Sequence, residues 1–173
     1  MQSRAKAVAF GAAFTALGLI LSYVESIIPL NLIVPFPGFK LGLANLAVLL
    51  AFFTLGFYQA SAVSICRISL SAILFGSVTS FLYSITGGLL TLAVLFMYKQ
   101  ILHKKIGLLG LCVLCAAMHN VGQCIVCAAF FGTSVITFYL PYLLIFSLIT
   151  GAVTGLISSN FPKLRRLINE AIK

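Results

Sequence analysis

Hydrophobic residues in this chain run in long blocks, broken at prolines, glycines and basic clusters rather than by regularly spaced polar positions. Six such blocks predict helices over about residues 5–28, 40–56, 60–77, 79–101, 107–131 and 137–161. At 1.5 Å per residue the longer blocks cross the ~30 Å of hydrocarbon in a bilayer. The second and third are short for that purpose and are expected to extend into their flanks. Pro29, Pro35, Pro37 and Gly38 mark a non-helical loop after the first block, and Gly56, Gly76 and Gly132 mark later breaks. Pro141 falls in the first turn of the sixth expected helix, where proline is tolerated. Between Ser22 and Pro29 there is no convincing small-residue cleavage site, so the first block is expected to remain as a membrane helix.

Composition supports the same picture. Of 173 residues, 62% are hydrophobic and only 8% charged, too few to cover a soluble domain. The expected fold is therefore all-α and integral to the membrane: one transmembrane domain over residues 1–173, its basic tail at 162–173. Glu25 and Glu170 are the only acidic residues, and aspartate is absent. Chemistry that gathers magnesium ions needs several convergent carboxylates, so phosphoryl and diphosphate transfer are excluded, as is hydrolysis by a carboxylate pair. No enzymatic activity is expected.

The net charge of +9 does not point to nucleic acid, because the basic residues cluster at block ends. With the amino terminus inside, Arg4, Lys6, Lys99, Lys104, Lys105, Lys163, Arg165, Arg166 and Lys173 all lie on the cytoplasmic side, nine of the eleven basic residues. That bias places both termini in the cytoplasm. No internal repeat of the kind found in many secondary transporters stands out.

Polar groups inside a span are costly unless they face a partner or a cavity. Arg67 lies in the middle of the third block; it either pairs with Glu25 or backbone carbonyls, or fixes an anionic or carbonyl-bearing ligand. Lys40, the one basic residue in an outer loop, is either a snorkelling lysine or a cation at the mouth of a pocket, with Asn45 below it. His119, Asn120 and Gln123 form the densest cluster; His119 and Gln123 share a helix face and Gly122 opens space beside them. A cavity lined by Asn45, Arg67, His119, Asn120 and Gln123, with Lys40 and Glu25 nearby and residues 29–39 as a roof, is the expected ligand site.

Cys112-x-x-Cys115 and Cys124-x-x-Cys127 imitate two halves of a zinc site, but twelve residues of one helix hold them about 18 Å apart. One tetrahedral ion cannot reach both pairs, so no metal is expected. The nucleotide-binding pattern Gly-x-x-x-x-Gly-Lys-Ser/Thr is absent, and no cofactor is expected. On the first helix Ala5, Ala9 and Ala13, with Ala12 and Ala16 beside them, form stripes of small residues that let another helix approach, either within the fold or from a partner. Gly151 and Gly155 on the sixth read the same way.

The string Pro37-Gly-Phe-Lys-Leu-Gly-Leu-Ala-Asn45, then Arg67, Ser80-Phe-Leu-Tyr-Ser-Ile-Thr-Gly-Gly88, His119-Asn-Val-Gly-Gln123 and Tyr139-Leu-Pro141 resembles one small bacterial family. It is labelled the Gx transporter family or heptaprenyl diphosphate synthase component I, and its His-Asn-x-Gly-Gln block is the most specific part. The family is similar in size and topology to the substrate-binding S components of energy-coupling factor transporters. That resemblance implies a plasma-membrane protein binding a small vitamin-like or isoprenoid-, quinone- or flavin-related solute near the outer face. It also implies partners: a transmembrane coupling subunit, docked on the alanine stripe of the first helix, and two ATPase subunits. The synthase label implies instead a non-catalytic membrane subunit beside isoprenoid or quinone synthesis or electron transfer, since prenyl elongation relies on aspartate clusters.

Overall fold

A computed structural model describes residues 2–28, 40 and 42–159, together with Pro162, Arg166 and Glu170. Its order is α1 (Gln2–Ile27), α2 (Asn45–Leu55), α3 (Phe57–Phe75), α4 (Val78–Gln100), a 3-10 turn (Leu102–Lys104), α5 (Leu108–Phe131) and α6 (Ser134–Ser158). Five stretches are long and apolar enough to cross a membrane: Arg4–Ile27, Phe57–Phe75, Val78–Gln100, Leu108–Phe131 and Tyr139–Ser158. With 11 residues, α2 is only about 16 Å long and does not reach across by itself. The predicted loop at 29–39 lies outside the described residues, as does most of the 162–173 tail.

Apart from the start of the second, the helix ends lie within three residues of expectation, and two of the differences have a clear consequence. The second helix begins at Asn45 instead of near residue 40, because Gly42 has φ +86° and its carbonyl accepts from the Asn45 N–H in a turn. Glycine takes that left-handed conformation without the Cβ clash other residues suffer. The sixth helix begins at Ser134, so Pro141 lies inside it and not in its first turn. The cost is one backbone hydrogen bond, since proline has no N–H to offer the carbonyl four residues back. Elsewhere the ends follow local chemistry. Ser77 caps α4 by accepting from the Ser80 N–H at 3.1 Å, and Gly56 at φ +95° separates α2 from α3.

Helices α1, α2 and α3 pack on one another, α5 packs along both α4 and α6, and α3–α4 and α2–α6 contacts join the two groups. Large apolar side chains such as Ile73, Leu156 and Ile20 point outward, while serines and threonines such as Ser71, Thr91 and Ser158 are buried. That inversion of the soluble pattern is what a lipid solvent permits. Several of these hydroxyls are satisfied within their own helices: Thr91 donates to the Gly87 carbonyl at 2.9 Å and Ser158 to that of Thr154 at 2.5 Å.

Because lipid tails are as apolar as leucine, close backbone packing must supply helix association. The α4–α5 crossing depends on Gly87 and Gly122: a Cβ on Gly122 would come within 2.7 Å of the Gly87 Cα. On α6, Gly151 is pressed against the Val113 backbone and Gly155 against Leu109, so that glycine pair serves internal packing. The apolar core, including Phe14, Leu49, Val63, Leu95 and Leu111, fills the space between α1–α3 and α4–α5.

Candidate functional site: a buried cationic centre

The C-terminal end of α1, the segment before α2 and the middles of α3 and α5 bring polar side chains to one buried centre. Glu25, Asn45, Arg67, His119, Asn120 and Gln123 are each at most 4% exposed, and Lys40 is 9% exposed. Lys40 is thus buried and not snorkelling.

Arg67 settles on an amide. Its Nη2 donates to Asn45 Oδ1 at 2.9 Å, joining α3 to the first residue of α2. Glu25 accepts from the Leu43 backbone N–H at 2.7 Å through Oε1. Among the described residues the one ion pair is Arg166–Glu170, at 3.0 Å on the exposed tail, so the Arg67–Glu25 alternative is not formed. Glycine makes room for the aliphatic stem of Arg67: a Cβ on Gly18 of α1 would fall 2.8 Å from Arg67 Cδ.

The α5 cluster holds its neighbours in place. Gln123 accepts from the Lys40 N–H at 2.9 Å and donates to the Lys40 carbonyl at 2.8 Å, so one carboxamide satisfies both backbone groups as a neighbouring strand would. Asn120 donates to the Leu143 carbonyl of α6 at 2.8 Å. His119 lies between two glycines: a Cβ on Gly87 would come 2.6 Å from Nδ1, and one on Gly42 3.2 Å from Cδ2. The segment 40–45 is therefore fixed at Lys40 by Gln123 and at Leu43 by Glu25, with His119 against Gly42.

Several buried atoms in the centre have no hydrogen-bond partner among the described residues: Arg67 Nε, Asn45 Nδ2, Glu25 Oε2 and His119 Nδ1. Groups so placed cost free energy until something bonds to them. Two cations face one carboxylate, a net formal charge of +1. The proposed roof at 29–39 lies outside the described residues. Of the glycines that make the site possible, Gly18, Gly42 and Gly87 each stand opposite a large polar side chain, a signal visible only once pairings are known.

The alanine stripe is open. Ala5, Ala9, Ala12, Ala13 and Ala16 are all exposed, and Ala12 and Ala16 line a groove of about 560 Å³ between α1 and α3. The cysteines are unpaired thiols. Cys112 lies 3.9 Å from Ser158 Oγ, and among the described residues no three His, Cys, Asp or Glu side chains are placed to hold a metal.

Residues 14–161 match the family model described as heptaprenyl diphosphate synthase component I. Neither a curated protein nor a solved structure matches the chain.

Proposed function

The chain belongs to the heptaprenyl diphosphate synthase component I family, and we propose that it is a non-enzymatic, substrate-binding membrane subunit of an importer energised in trans. The observation that carries this reading is the buried centre, where Arg67 and Lys40 stand against the single carboxylate of Glu25. An uncompensated buried cation is unfavourable, and a bound anionic or carbonyl-bearing solute relieves it. A guanidinium suits such groups because it donates in a planar fork.

In this reading the protein spans the plasma membrane six times with both ends in the cytoplasm, in accord with the distribution of basic residues. The short α2 completes its crossing with the non-helical residues before it. Irregular backbone is tolerated at membrane depth where protein satisfies it, and Gln123 and Glu25 do so for Lys40 and Leu43. The exposed alanines of α1 are the docking stripe for a transmembrane coupling subunit that works with two ATPases.

The family description favours a second reading: a non-catalytic companion of a prenyl diphosphate synthase. Purification from native membranes in mild detergent, with mass spectrometry of proteins and small molecules in the same sample, separates the two. Coupling-module ATPases together with a retained small solute support the importer. A prenyl synthase, with no ATPase and no solute, overturns it in favour of the companion.

A further inference from the structure

Taking the buried centre as a solute site, we propose that its solute is a small organic monoanion bearing a separate hydroxyl or amide N–H donor, and not a diphosphate. This deepens the importer reading by naming the chemistry that the site selects.

The charge balance sets the first half. Arg67 and Lys40 against Glu25 leave a net formal charge of +1, and all three side chains are at least nine-tenths buried. In a weakly polarisable surrounding the favoured occupant brings that charge to zero. A single carboxylate does so, whereas a diphosphate replaces one excess cation by several excess negative charges. Only two cationic side chains are available to it, with no aspartate anywhere in the chain to recruit magnesium.

The unpartnered atoms set the second half. Arg67 Nε and Asn45 Nδ2 are donors, and they suit the oxygens of an acid group. Nη2 of the same guanidinium already holds Asn45 Oδ1, which fixes the two donors relative to each other. Glu25 is the reverse case: Oε1 is taken by the Leu43 N–H, and Oε2 is an acceptor that only a donor can satisfy. A plain carboxylate leaves Oε2 unpaired. A hydroxy acid or an amide-bearing acid completes it.

The test measures binding of glycolate, acetate, malonate and pyrophosphate to the purified full-length protein. Glycolate should bind about 10- to 100-fold tighter than acetate, the effect of leaving one buried acceptor unsatisfied. Malonate and pyrophosphate should bind more weakly than glycolate. In Glu25→Gln the amide oxygen keeps the Leu43 bond and the amide nitrogen replaces Oε2, turning an acceptor into a donor and adding one positive charge. Malonate should then overtake glycolate. A second variant, Asn45→Asp, keeps the acceptor for Arg67 and removes the excess charge; it should lose affinity for all four anions. Equal affinities for glycolate and acetate, preference for pyrophosphate, or no binding by folded protein overturns the proposal. If the glycolate preference holds but no ATPase co-purifies, the importer reading fails while the chemistry of the site stands.

Discussion

Replacing Gln123 with methionine separates a structural clamp from a ligand contact. The two side chains have similar length and volume, so the change removes hydrogen bonding without opening a cavity. Two bonds to the main chain of Lys40 are lost, at 2.9 and 2.8 Å, with a longer one of 3.4 Å to Asn120 Oδ1, and the Lys40 N–H and carbonyl are left without partners. Interhelical hydrogen bonds in membrane proteins average about 0.6 kcal/mol each, which sets a floor near 1 kcal/mol. Orphaning a buried polar group costs about 1–3 kcal/mol, which sets a ceiling near 6 kcal/mol for the pair. Because Gln123 is 1% exposed and Lys40 9%, water does not reach the freed groups easily, and a loss of about 2–4 kcal/mol is expected. Reversible unfolding in mixed detergent micelles measures this, with no solute added. Acylation of the Lys40 amine gives a local readout and should accelerate as segment 40–45 loosens. Unchanged stability together with lost solute binding would refute the clamp and make Gln123 a ligand contact.

Three further outcomes follow from the packing. Gly122→Ala should destabilise the protein by about 1–3 kcal/mol, because its Cβ meets the Gly87 backbone at 2.7 Å; unfolding in micelles reads this directly. Gly42→Ala should cost about 1–2 kcal/mol from the left-handed backbone at φ +86°, with further crowding of Asn45 and His119, and calorimetry in detergent checks it. Ala13→Trp should abolish co-purification of a transmembrane partner while solute binding is retained, since Ala13 is exposed; the opposite pattern would place the stripe in internal packing.

Six helices were legible because each is a block of apolar residues closed by glycine, proline or a basic cluster. The start of α2 was not. Leu43 and Ala44 look helical in sequence; the left-handed turn at Gly42 precedes them, and Gln123 and Glu25 hold the backbone at Lys40 and Leu43. The first turn of α6 was hidden as well: with a break at Gly132 and Pro141 expected in the first turn, the helix was expected from about residue 137, three residues after its start at Ser134. For the site, periodicity brought His119 and Gln123 to one face, and both are buried at the centre. Periodicity carries no information on partners. That Arg67 prefers Asn45 to Glu25, and that Gln123 holds the main chain of Lys40, depends on where segment 40–45 crosses α5 and on the glycines that let it approach.

The central claim is that Arg67 fixes an anionic solute and is not merely part of the scaffold. Its direct test is the solute content and affinity of folded, monodisperse Arg67→Gln beside the unsubstituted protein. Truncating one side of a buried charge pair costs about 2–5 kcal/mol, so Arg67→Gln should retain almost none of the small molecule that co-purifies with the unsubstituted protein. Arg67→Lys should restore little, because a point charge does not replace a planar fork. Undiminished solute in Arg67→Gln, with only a loss of stability from the broken bond to Asn45, would contradict the account.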